Sequence, residues 1–261
     1  MDGEHASGMS EFSPVKSADR TLEVLEHLAA KGSSSLVEMS RTLDIPKSSL
    51  HSILRTLEHR GWAESDPTRS TYQLGINALL IGASYVDQDL IVTRTSESLD
   101  SLAAATGETI HLGRLEGTDV VYLAKRESRH PLRMFSAIGR RLPAHATGLG
   151  KALLAELDDE RVLARLVDPL PAITERTITT KAELVARLAT VRASGYAIDD
   201  EEACIGMRCF AVSLPFANPP KDAISCSVPF ARLDEDRERE IISLLLETKV
   251  QLARQFSGRR F

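Results

Sequence analysis

The sequence predicts an α+β fold in two parts, an N-terminal winged helix-turn-helix and a C-terminal domain on a mainly antiparallel sheet. Three observations predict it. Three helical patterns, followed at once by two short strand-like pieces, describe a winged helix. Further on, strand-like segments come in groups rather than in strict alternation with helices, which favours α+β. And 261 residues, at roughly 150 per domain, suit one large domain or two modest ones.

Taken in order, residues 1–13 carry no apolar periodicity and read as a disordered tail. The winged domain is expected over 14–75. From Ser17 the apolar residues Leu22, Leu25, Leu28 and Ala29 recur at spacings of three and four, and Gly32 suits a C-terminal cap. Ser35-Leu36-Val37-Glu38 is a capping box, opening a short second helix with Leu36, Met39 and Leu43 on its apolar face. Asp44-Ile45-Pro46 breaks that helix. Pro46 suits the first turn of a third one, which carries Leu50, Ile53, Leu54 and Leu57 and ends before Gly61. Trp62-Ala63-Glu64 and Thr71-Tyr72-Gln73-Leu74 read as strands around a polar turn with Asp66-Pro67 and Arg69.

A largely apolar stretch, Ile76 to Val86, reads as a linker helix within residues 76–89. The polar Asp87-Gln88-Asp89 marks the boundary of a second domain over 90–257. There a helix from about Leu90 to Ala105 closes at Gly107. Strands are expected at Thr109–Leu115, Val120–Arg126 and Leu132–Ile138. Helices follow at Gly148–Leu157, Glu160–Leu166 and Ala182–Ser194, the last opened by the capping box Thr180-Lys181-Ala182-Glu183. Strands return at Tyr196–Asp199, Cys209–Phe216 and Ala223–Pro229, and Asp234–Phe256 is a long closing helix.

Composition excludes several classes. Hydrophobic residues at 43% and charged residues at 26% are ordinary for a chain with a real core. The longest apolar stretches, such as Ala78-Leu79-Leu80-Ile81, fall far short of the roughly 20 residues of a spanning helix, so no membrane partner is expected. The opening MDGEHASGMSEF lacks the basic start and apolar run of a signal peptide. Cys204, Cys209 and Cys226 are odd in number and clustered late, which implies no disulfide framework. The expected setting is the cytoplasm, with reduced thiols. The net charge of −5 argues against non-specific polyanion binding by the whole surface, though not against a local basic face.

The third helix offers such a face. Residues set 100° apart place Leu50, Ile53, Leu54 and Leu57 on one side and Ser48, Ser52, Arg55 and His59 on the other, with His51 and Thr56 at the margins. Ser, Arg and His can donate to phosphates and base edges. Any surface helix has a polar face, but a preceding short helix and a following hairpin tipped by Arg69 describe a groove-reading helix with a wing. Residues 1–75 hold eight basic residues (Lys16, Arg20, Lys31, Arg41, Lys47, Arg55, Arg60, Arg69) against eleven acidic ones. Binding must then rest on a patch around Arg41, Lys47, Arg55, Arg60 and Arg69, and affinity would fall steeply with salt.

Catalytic motifs fail on inspection. Gly148-Leu149-Gly150-Lys151 invites comparison with phosphate loops, but His145 and Ala152 stand where a P-loop needs Gly and Ser or Thr, and Leu153 where a dinucleotide fingerprint needs Gly. No nucleophile elbow or His-Glu-x-x-His occurs. The cysteines with His145 could form a zinc site, but ordinary buried thiols are the default. Asp199-Asp200-Glu201-Glu202 reads as a solvated turn. What survives is Gly148-Leu149-Gly150 at a helix start, where free N–H groups favour an anion; the bland reading is a turn packed closely.

Several segments match a known family. They are Ser17-Ala18-Asp19-Arg20-Thr21-Leu22, Ile45-Pro46-Lys47-Ser48-Ser49-Leu50-His51, Thr106-Gly107-Glu108-Thr109-Ile110-His111, the run from Gly139 to Ala152, and Gly195-Tyr196-Ala197-Ile198-Asp199-Asp200-Glu201-Glu202. From about Val15 to Phe256 the chain resembles IclR-type bacterial transcription regulators. The resemblance implies a winged helix-turn-helix, a linker helix and a C-terminal effector-binding domain with a GAF-like sheet. It implies homodimers, often paired as dimers of dimers, that bind palindromic operator DNA and respond to a small carboxylate effector, with no cofactor, no metal and no catalysis. The DNA-contact set becomes Arg41, Lys47, Ser48, Ser49, His51, Ser52, Arg55 and Arg69. The family's effector contacts fall on Met134, Leu142, Gly148, Leu149, Asp199, Cys209, Ser225 and Ser227.

Two departures from the family pattern bear on ligand size: a short Phe216–Ala223 hairpin with Asn218-Pro219-Pro220, and Val228 after the second serine, both expected beside the pocket floor. Within the pocket, Ser225 and Ser227 alternate along one strand and face the same side. Asp199 would repel a second carboxylate unless the ligand offers it a hydroxyl or Asp199 is itself protonated; alternatively it caps a turn. The competing function is a small-molecule enzyme or sensor with an accessory DNA-binding domain.

Overall fold

The computed structural model describes residues 13–133 and 136–256. The chain forms two compact units, Met1–Tyr85 and Val86–Phe261. Met134 and Phe135, the start of the expected tail and residue 257 lie outside the described residues.

The first unit holds α1 (Lys16–Lys31), β1 (Ser34–Ser35), α2 (Leu36–Thr42), α3 (Lys47–His59), β2 (Ala63–Asp66) and β3 (Thr71–Leu74). The three helices and the hairpin are those the pattern predicts. The strand β1 is an addition, pairing Ser34 with Tyr72 to give the antiparallel order β1-β3-β2. Two serines carry no strand signal; a hydrogen bond of 3.1 Å between Ser34 Oγ and His27 Nε2 holds this one in place. Ser35 Oγ accepts from Glu38 N at 3.2 Å, the capping half of the expected box. Pro46 stands at the cap of α3 rather than inside its first turn. Val24, Leu28, Met39, Ile45, Leu50, Leu54, Leu57 and Ala63 form the core.

The helix α4 (Ile76–Gln88) buries no residue: Ile76, Leu79, Leu80, Ile81 and Tyr85 are all more than half exposed. Asp89, expected in a polar linker, is instead built in. Its Oδ1 accepts from Ile91 N and Val92 N at 2.9 and 3.2 Å, capping α5 (Leu90–Thr106). Its Oδ2 meets Arg114 Nη1 at 2.6 Å, and Arg114 Nε holds Asp222 at 2.6 Å.

The second unit is a six-stranded antiparallel sheet of β4 (Thr109–Glu116), β5 (Asp119–Arg126), β6 (Arg141–Pro143), β7 (Ala197–Asp200), β8 (Met207–Leu214) and β9 (Asp222–Pro229), in the order β6-β5-β4-β9-β8-β7. The strand expected over Leu132–Ile138 does not form among its described residues. Pro131 lacks a ladder donor and Gly139 turns the chain at φ +81°, leaving Leu132 and Ile138 exposed. The short β6 takes that edge instead, pairing Leu142 with Val120. On one face lie α6 (Gly148–Leu154), α7 (Asp159–Arg165) and α8 (Lys181–Ser194), with a core including Val120, Leu149, Leu153, Leu184 and Leu188. On the other, α5 and α9 (Glu235–Phe256) pack over Ile110, Leu112, Phe210, Val212, Ile224, Cys226 and Val228. Alternation along each strand sorts residues between the two cores.

Candidate functional site

The exposed side of α3 presents Lys47, Ser48, His51, Ser52 and Arg55, opposite the buried Leu50, Leu54 and Leu57. Ser49 is half-buried at the edge. Ser52 donates its hydroxyl to Ser48 O at 3.1 Å, which leaves it acceptor capacity. Arg41 is exposed near the end of α2. At the wing, Asp66 Oδ1 accepts from Thr68 N at 2.9 Å and Arg69 N at 3.3 Å, fixing the turn. Arg69 reaches Asp66 at only 3.7 Å with a side chain 80% exposed, so its cation stays available. Lys47, Ser48, His51, Ser52 and Arg55 therefore share the exposed side of α3, while Arg41 and Arg69 are exposed on α2 and the wing.

The second unit holds a different arrangement. Register pairs Asp199 with Cys209, Cys209 with Ser227, and Ser227 with Thr109, so these four side chains cross β7, β8, β9 and β4 in one row. The adjacent row runs Ala197, Ala211, Ser225, His111 and Lys125. Directly paired residues point to the same face, here the face under α6. Asp199, Cys209, Ser225, Ser227, Thr109 and His111 are all buried.

Each group in the row has a stated condition. Cys209 Sγ donates to Ser227 Oγ at 3.1 Å, and burial, then the charge of Asp199, pushes the thiol well above its usual range. His111 is stacked on Tyr122 with ring centroids 4.6 Å apart, and its Nε2 lies 2.7 Å from Ser136 Oγ. Burial, reinforced by Lys125, lowers its pKa to about 3, so the ring is neutral. Asp199 Oδ1 accepts from Glu202 N at 2.8 Å and Ala203 N at 3.2 Å. Burial raises the Asp199 pKa to about 6, against the pull of Lys151. The turn-capping geometry is thus present for one of its oxygens.

The helix α6 covers the row. A Cβ on Gly150 would stand 2.1 Å from Ala144 O, so only glycine fits there, and this glycine is one of close packing. A Cβ on Gly148 would meet Cys209 O at 3.3 Å and Asp199 N at 3.7 Å, which places the start of α6 over β7 and β8. Lys151 on this helix acts on Asp199 through its charge. Fully buried, it pairs with Glu202, and Thr177 Oγ1 donates to Glu202 O at 2.7 Å to brace that loop.

Of the residues the resemblance implies, Gly148, Leu149, Asp199, Cys209, Ser225 and Ser227 come together here, and half-buried Leu142 packs against the adjoining core. Met134 lies outside the described residues. Three corrections follow. The acidic run Asp199–Glu202 is not a solvated turn, because Asp199 and Glu202 are buried. Val228 faces α9, not the row. The Phe216–Ala223 hairpin lies beyond the Leu214–Asp222 pair, five pairs along from Cys209–Ser227, so it does not adjoin the row either. Sequence reasoning passed over Thr109, His111, Lys151 and Glu202. For the first two a signal existed: polar and apolar residues alternate through Thr109-Ile110-His111-Leu112. Among the described residues, no group of three or more His, Cys, Asp or Glu could hold a metal ion, and no helix is long and apolar enough to cross a membrane.

A winged helix with an exposed polar face on its third helix, followed by a sheet domain with a buried polar row, has the architecture of a DNA-binding protein with a second, separate domain. Comparison with known proteins narrows this. Residues 17–67 match the IclR helix-turn-helix domain and residues 83–254 the bacterial transcriptional regulator IclR C-terminal family. The chain is 35% identical over 254 residues to the HTH-type transcriptional regulator BhcR of Paracoccus denitrificans, covering 96% of this chain and 89% of that protein. An IclR transcriptional regulator structure from Alicyclobacillus acidocaldarius superposes with a TM-score of 0.81 at 26% identity, covering 92% of this chain and 98% of that one. An IclR homolog from Microbacterium hydrocarbonoxydans, complexed with 4-hydroxybenzoate, shares the fold at a TM-score of 0.75 and 19% identity, over 93% of this chain and 100% of that one. The chain belongs to the IclR family of bacterial transcription regulators. Its relatives are regulators rather than enzymes, which removes the catalytic alternative.

Proposed function

We propose that this regulator binds a palindromic operator as a homodimer that can pair into a dimer of dimers, and that a small carboxylate held under α6 alters its affinity for that DNA. The observation that carries the ligand half is the buried row Asp199, Cys209, Ser227, with Ser225 beside it, beneath the start of α6. No apolar core needs these groups there, and the neighbour that shares the fold holds an aromatic acid. The effector set is Met134, Leu142, Gly148, Leu149, Asp199, Cys209, Ser225 and Ser227, with the serine hydroxyls as donors to the carboxylate. In this reading Asp199 lines the pocket and sets its pH dependence.

On the DNA side, Arg41, Lys47, Ser48, Ser49, His51, Ser52, Arg55 and Arg69 form the contact surface, with two recognition helices in successive major grooves about 34 Å apart. The exposed apolar residues of α4 supply a surface for the second copy. The winged domain spans 14–75, the linker 76–89 and the effector domain 90–257, and the protein acts in the cytoplasm.

The test uses full-length protein and an inverted-repeat operator, with affinity read by fluorescence anisotropy across a panel of small acids. At least one acid should shift the affinity and leave the solution chemically unchanged. A panel without effect, or turnover of the acid, rejects the proposal.

A further inference from the structure

Two atoms on β4 have no explanation in the fold. Thr109 Oγ1 and His111 Nδ1 are buried and have no hydrogen-bond partner among the described residues. Both side chains are fully inaccessible. Leaving such a group unsatisfied forfeits its hydration without a replacement bond, and an orphan of this kind in a native fold asks for a reason. Here two lie on one strand, two residues apart, facing the same side. That side is the one carrying Ser227 and Ser225, each paired directly with one of them.

We infer that Thr109 and His111 form the part of the pocket that reads a hydroxyl on the ligand. The inference rests on the proposal that a carboxylate is held at Ser225 and Ser227. Neighbouring strands lie roughly 4.8 Å apart, so a hydroxyl close to the carboxylate reaches β4 while the acid group stays on β9. Asp199 is two strands away in the other direction, and its Oδ1 is already taken by the N–H groups of Glu202 and Ala203.

The chemistry selects the group. Neutral His111 offers one ring nitrogen as donor and the other as acceptor, and Ser136 Oγ at Nε2 accommodates either tautomer. A ligand hydroxyl both donates and accepts, so it satisfies Nδ1 in either tautomer and Thr109 Oγ1 as well. A second carboxylate only accepts. It would also lie buried beside Lys125, whose ammonium Glu127 at 2.7 Å and Ser136 O at 2.9 Å already engage. The ligand class is therefore a monocarboxylic acid bearing a hydroxyl or hydrated carbonyl.

The experiment measures binding of two matched pairs, lactate with propionate and mandelate with phenylacetate, by calorimetry on the full chain. The wild type should prefer the hydroxy member of at least one pair. Thr109→Val and His111→Phe should each lose about tenfold for that hydroxy acid and little for its deoxy partner, whereas Asp199→Asn should keep the preference. Thr109→Val should also leave the ligand-free melting temperature unchanged or raised, since its hydroxyl makes no bond to lose; a variant that melts lower or fails to fold assigns Thr109 a structural role and overturns the inference. So does a preference that survives both β4 substitutions or disappears with Asp199→Asn. A wild type that binds acids with no hydroxy preference overturns the subsite and leaves the carboxylate reading standing. Binding of none of the four acids overturns both.

Discussion

The α3 face and the row under α6 are both polar, but they hold their polar groups in opposite ways. On α3 the cations and hydroxyls stand in water, where they cost the fold nothing and can be exchanged without disturbing Leu50, Leu54 and Leu57 behind them. Under α6 the polar groups have been taken out of water, and each is bonded, neutralised or left unsatisfied. A surface that meets a polyanion needs charge and little preparation. A pocket for a small acid needs preparation, because a buried ligand must find its partners already in place. In this protein the polar side of α3 lies outside the packed core, whereas the polar groups under α6 are enclosed within it.

The sharpest break of that comparison lies at Lys151 and Glu202. Lys151→Ala alone leaves a buried carboxylate without its partner and should lower unfolding free energy by roughly 3–5 kcal/mol. Joining it to Glu202→Leu should recover most of the loss. Urea titration of the two variants beside wild type checks both; a single variant as stable as wild type would disprove the buried pair.

Asp199 gives the next effect. Its folded pKa, about 6, is raised above the ordinary carboxylate value, so it contributes stability that is full below the ordinary range and lost as pH rises through about 6. Asp199→Asn stays neutral throughout. It should gain on the wild type between pH 4 and 7, by up to roughly 3 kcal/mol from the size of the shift. The same change predicts that an acid ligand binds wild type more tightly as pH falls through about 6 and binds the Asn variant without that trend. Parallel pH profiles for the two proteins would disprove it.

On α3, Arg55→Ala should weaken operator binding by about 1–3 kcal/mol and relax specificity at one base pair, with the melting temperature unmoved. An unchanged footprint removes Arg55 from the interface. The smallest effect belongs to the wing. Arg69→Ala loses only an exposed, long ion pair, and should reduce the salt slope of DNA binding by about one while leaving unfolding untouched.

The same contrast governs what could be read beforehand. The helices and the hairpin of the first unit were legible because apolar period and caps are local signals: Gly32 and Ser35 do in the structure what their positions suggest. The exposed face of α3 follows from the wheel alone. The buried polar row was legible only through the resemblance. Polar residues alternating with apolar ones ordinarily mark the solvent side of a strand, yet Thr109 and His111 face α6, and no local pattern says a helix will cover them. Lys151 is hidden for another reason: its partner lies 51 positions away in sequence. The expected strand over Leu132–Ile138 failed on Pro131 and Gly139, where two breakers outweighed a short apolar pattern.

The sorting of each strand between two cores has a practical consequence for redesign. Along β9, Ser225 and Ser227 look to one helix layer while Ile224, Cys226 and Val228 look to the other. A randomised library confined to every second codon of β4, β8 and β9 would therefore sample new sensor chemistries against an untouched scaffold. The intervening codons would act as an internal control: variation there should kill variants rather than retune them.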